Sequence, residues 1–104
     1  MQFLKMNLSA MAVSLLSIHL SIPGCRSLKE KRGYLKPVLA RLHREFNLAA
    51  AEIDLHDKHS ESLIQCAALS TSSRELQSFL QKVVDYTERS WPELEILDFK
   101  IENL

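Results

Sequence analysis

The stretch LSIHLSIPGCRSLKE, residues 16–30, gives the backbone three instructions in succession. Leu16, Ile18, Leu20 and Ile22 alternate with Ser17, His19 and Ser21, the two-residue period of a strand with one buried face. Pro23-Gly24 stops that strand, because proline presets φ for a turn and glycine tolerates the left-handed conformation that follows. Ser27 then opens a helix. With Glu30 three residues on, it makes a capping box that satisfies amides the first turn leaves unpaired.

Outward from this stretch the pattern repeats. The strand reaches back to Met11, with a slip of phase at Leu15-Leu16 that marks either a bulge or a strand beginning near Leu16. Leu28, Leu35, Leu39, Leu42 and Phe46 recur at helical spacing, widened by Val38, while Pro37 lacks the donor that would bond back to Gly33 and predicts a kink. Asn47 to His56 reads as a second strand despite its alanines, Asp57 to Ser62 as a polar turn, and Leu63 to Ser70 as a central strand. Ser72 and Glu75 form another capping box. The helix they open carries Leu76, Phe79, Leu80, Val83 and Thr87 and ends at Trp91-Pro92, where the indole is expected to lie over the helix end. Leu97, Phe99 and Ile101 mark a last strand. This order predicts an α+β, ferredoxin-like βαββαβ fold, a four-stranded antiparallel sheet with two helices on one face. One such domain over residues 11–104, with residues 1–10 as an extension, accounts for a chain of 104 residues.

Composition removes several classes of function. Two cysteines make no disulfide framework, and two glycines supply no glycine-rich phosphate cradle. Lys5, the apolar run from Met11 and the Ile22-Pro23-Gly24-Cys25 box outline a lipoprotein signal. Pro23, His19 and the strand-like alternation oppose it, and no apolar run is long enough to span a membrane, so a cytoplasmic protein is expected.

The net charge is zero, but it is unevenly spread. Arg26, Lys29, Lys31, Arg32, Lys36, Arg41 and Arg44 face only Glu30 in their segment, giving +6 there and −6 elsewhere. On a helical wheel Lys29, Arg32, Lys36 and His43 fall within a sector of about 60° beside the apolar stripe. Cations near a helix amino end oppose the helix dipole, so helix stability alone does not account for them. The seven basic residues are therefore candidate contacts for an anion or an RNA backbone. The alternative roles are a solvated face or a protein interface. The first and third strands hold no Phe, Tyr or Trp, so bases are not expected to stack on the sheet, and RNA would be held through phosphates.

Other constellations are weaker. Asp54, His56, Asp57 and His59 cluster in the hairpin, where a polar loop is expected rather than a metal site. His19 and Glu52 are candidates to share the helix-free sheet face as an acid/base pair, but a strand between them would hold them roughly 9 to 10 Å apart. Cys66 reads as a small buried hydrophobe, and Cys25 has no histidine placed near it by sequence. Ala50, Cys66 and Ala68 form one parity of small residues whose exposure would favour a homo-oligomer, such as a dimer. No catalytic residue, cofactor or metal is assigned.

The run Ile22-Pro23-Gly24-Cys25-Arg26-Ser27-Leu28-Lys29-Glu30-Lys31-Arg32 resembles the signature of the YlxP-like proteins, a small bacterial family of undetermined function. Ala51-Glu52-Ile53-Asp54 with Asp57, Gln81 to Asp85 and Glu95 to Asp98 are similar to its later motifs. The resemblance implies a ferredoxin-like fold, self-association and, since members are often encoded beside translation and ribosome-assembly genes, a role at the ribosome. Members tend to start at the position of Met11. The sequence departs from the family in the hairpin, where Lys58-His59 follows Asp57 in place of a common aromatic.

Overall fold

Strand β1, Ala12–Ser21, buries every second side chain from Ser14 to Leu20 and keeps the rest half-exposed. The alternation runs through Leu15-Leu16 without a bulge. Ser14 takes the inward position there, its hydroxyl donating to Asn103 Oδ1 at 2.5 Å, so a polar residue fits the buried face. The structure is a computed structural model and describes residues 11–104. The expected extension, residues 1–10, lies outside the described residues.

After β1, Ile22 to Cys25 make a tight turn in which Cys25 N–H donates to Ile22 O at 3.2 Å and Gly24 takes φ +78°, as glycine allows at the third position of a type II turn. Helix α1, Leu28–Glu45, starts on Ser27, whose Oγ accepts from Glu30 N at 3.1 Å. It runs as one α-helix through Pro37 and buries Leu35, Val38 and Leu42, while Leu28 at its first position is exposed. The hairpin strands are β2, Ala49–Asp54, shorter than expected, and β3, Glu61–Ser70, which starts two residues early. Helix α2, Ser73–Ser90, is capped by Ser72 and ends on the buried Trp91. Strand β4, Glu95–Asn103, closes the chain.

All strands pair antiparallel in the order β2-β3-β1-β4, the βαββαβ arrangement expected. One parity of β1 and β3 is buried and the other open, so both helices cover the same face. Ala50, Cys66 and Ala68 lie on the covered side, Cys66 fully buried; the open parity is instead Ala49, Ala51, Gln65 and Ala67. Burial pushes the Cys66 thiol up to about 12. Phe46 stands edge-on to Phe79 and Tyr86, and Tyr86 edge-on to Trp91, tying the end of α1 to α2.

Candidate functional site

The seven basic residues divide into four groups. Lys31 is buried, 2 % exposed, and its ammonium spends its three donors inside the fold. It reaches Leu55 O at 2.7 Å, Lys58 O at 2.6 Å and Glu52 Oε2 at 2.7 Å. Glu52 also accepts from Ser62 Oγ at 2.7 Å. This corrects the expectation for Lys31. It offers no charge to a ligand, because it clamps both ends of the hairpin turn, where Leu55 adopts φ +64° and Lys58 N–H returns to Leu55 O.

Arg41 is drawn to the opposite flank of α1. Its guanidinium lies 5.4 Å from the centroid of Tyr86 and 5.3 Å from that of Trp91, engaged with the aromatic cluster. Arg44 is exposed, with Nε 3.8 Å from Glu45. Lys29, Arg32 and Lys36, with Arg26 just before the helix, are exposed and form no ion pair among the described residues.

Lys29, Arg32 and Lys36 rim a groove between α1 and the edge strand β2. The groove has a volume of about 560 Å³ and is also lined by Gly33, Leu35, Pro37 and Leu39 of α1 and by Glu52 of β2. The arrangement joins apolar surface to free positive charge. It can hold an anion whose remainder is apolar or planar.

His19 and Glu52 do not meet. β3 separates their strands, and Glu52 turns toward the helices to Lys31 and Ser62 while His19 faces the open side. His19 instead places Nε2 2.7 Å from Glu61 Oε1, a diagonal pair across β1 and β3 that the sequence reading missed. The His19 hydrogen bond, with Lys58 Nζ 3.4 Å away, holds the Glu61 carboxyl below its ordinary range. His56 and His59 turn to separate acceptors, Glu52 O at 3.2 Å and Cys25 O at 2.9 Å, and no metal-binding cluster forms among the described residues. The second of these contacts brings a histidine to the Cys25 backbone, which spacing alone did not indicate. No helix of the described residues is long and apolar enough to cross a membrane.

Two comparisons with known proteins bear on this arrangement. The uncharacterized protein YlxP of Bacillus subtilis (strain 168) is 38% identical over 69 residues, covering 66% of this chain and 74% of that protein. The profile of a family described as a protein of unknown function, DUF503, matches residues 13–101, which take in both helices, β2, β3, most of β1 and β4, and the groove. The chain belongs to the DUF503 family.

Proposed function

We propose that the chain is a non-enzymatic cytoplasmic factor that contacts structured RNA, such as ribosomal RNA, through the cationic flank of α1. The observation that supports it is the row of Lys29, Arg32 and Lys36, exposed along one groove and without carboxylate partners among the described residues. A salt-bridged row would already be neutralised; an unpaired one attracts a polyanion and releases its counterions. Arg26, also exposed, precedes the helix, and the withdrawal of Lys31 and Arg41 leaves the row on one side of it. The open sheet face has no aromatic on β1 or β3 to stack a base, which favours contacts through phosphates.

The test is RNA binding by the Lys29→Glu, Arg32→Glu, Lys36→Glu variant at low salt. The expected result is loss of at least two orders of magnitude in affinity. For the unaltered protein, three phosphate contacts predict a slope of log affinity against log salt of about −2 to −3. Unchanged binding in the variant, or a flat salt response, would sink the reading. A second reading, self-association, is favoured by the open sheet face, where Ile53 and Leu69 are 50% and 63% exposed. The two are separable, since charge reversal on α1 leaves that face intact.

A further inference from the structure

Gly33 stands in the interior of α1, where glycine is a poor helix former because it surrenders the most backbone freedom. Nothing inside the fold requires it. A Cβ at this position would meet no atom within 4 Å, and Gly33, unlike Gly24, does not take a positive φ. Four residues on, Pro37 has no N–H, so the Gly33 carbonyl lacks its helical donor. Both residues line the same groove. The groove lining therefore includes bare backbone and an acceptor free of its usual partner, together with the apolar Leu39 and the cations Lys29, Arg32 and Lys36. Glu52 at the far side is already neutralised by Lys31.

We propose that this groove takes one unpaired nucleotide of RNA. The face of the base stacks on the Pro37 ring, an N–H of its edge donates to Gly33 O, and the flanking phosphates meet the three cations. This rests on the RNA reading above and narrows it to single-stranded or bulged RNA. A nucleotide carries a planar apolar body, a hydrogen-bond donor and an anion side by side, whereas a duplex keeps its base faces stacked and offers mainly phosphates and sugars.

The experiment compares a labelled single-stranded oligoribonucleotide with a blunt RNA hairpin of equal length by fluorescence anisotropy. The protein is expected to bind the single strand at least tenfold more tightly. Gly33→Leu fills the groove, and Pro37→Ala returns an N–H to Gly33 O. Each should lower single-strand affinity to the hairpin's level and leave hairpin affinity within twofold, with thermal melting showing that both variants fold. Equal affinity of the unaltered protein for both RNAs, or a preference that survives both substitutions, would overturn the nucleotide site and leave phosphate contact standing. Failure to bind either RNA would overturn both. Displacement of the single strand by an equimolar polyglutamate peptide would overturn the site in favour of an acidic protein partner.

Discussion

Replacing Lys31 by methionine would leave Leu55 O, Lys58 O and the Glu52 carboxylate without the ammonium that joins them. Removing one member of a buried ion pair typically costs about 3–5 kcal/mol. Because Glu52 keeps Ser62 and partial access to water, the expected loss for Lys31→Met is about 2–4 kcal/mol, read from urea unfolding. A loss under about 1 kcal/mol would contradict the clamp. Lys31 was legible as an exception: on a helical wheel it lies at about the bearing of Val38 and Leu42, within the apolar stripe. A count of charges along the segment treats it like its exposed neighbours, which is why it joined the candidate site. Glu61 supports a different prediction. Its carboxyl is held low by His19 and then Lys58, so its contribution to stability is fully present above the ordinary value of 4.5 and is lost as pH falls through the lower folded value. In Glu61→Gln that acid-side loss should shrink, measured as the urea midpoint against pH; parallel curves for the two proteins would refute it.

The elements of the fold were legible wherever local chemistry fixes them. Ser27 and Ser72 cap α1 and α2 by accepting from the N–H groups of Glu30 and Glu75, but the return half of each capping box is replaced, since Glu30 Oε2 accepts from Arg26 N–H and Ser72 N–H donates to Ser70 Oγ. Pro23-Gly24 makes the expected turn. Neither a bulge at Leu15-Leu16 nor a strand start near Leu16 is found: β1 runs unbroken from Ala12, and Ser14 takes an inward position satisfied by Asn103 on β4, a partner 89 residues away. The parity of the sheet was equally beyond local reading. Whether Cys66 or Ala67 faces the helices depends on cross-strand register, and a single step exchanges the two faces. Within α1, Gly33→Ala should stabilise the protein by about 0.5–1 kcal/mol, since the methyl enters open space on a helical backbone. That corresponds to a rise in Tm of roughly 2–8 °C, and a fall in Tm would mean that the position is constrained inside the fold.

At the scale of the whole molecule, thirteen basic and thirteen acidic residues cancel, yet the cancellation is one of position as well as number. The fold gathers Lys29, Arg32 and Lys36 on one flank, sends Arg41 to the aromatic cluster and encloses Lys31. The wheel alone separates the first three from Arg41 and Lys31, because bearings around a helix follow from its pitch. It does not show the groove, which needs β2 beside α1, nor that Glu52 points inward to Lys31 while His19 finds Glu61. These contacts join residues that are distant along the chain, and their geometry depends on strand order and register. The sequence by itself determined the order of elements, their caps and the cationic segment, because periodicity and capping are local properties of the backbone. Only the tertiary structure decided which of those cations remain free, because burial and pairing depend on what the sheet brings alongside the helix.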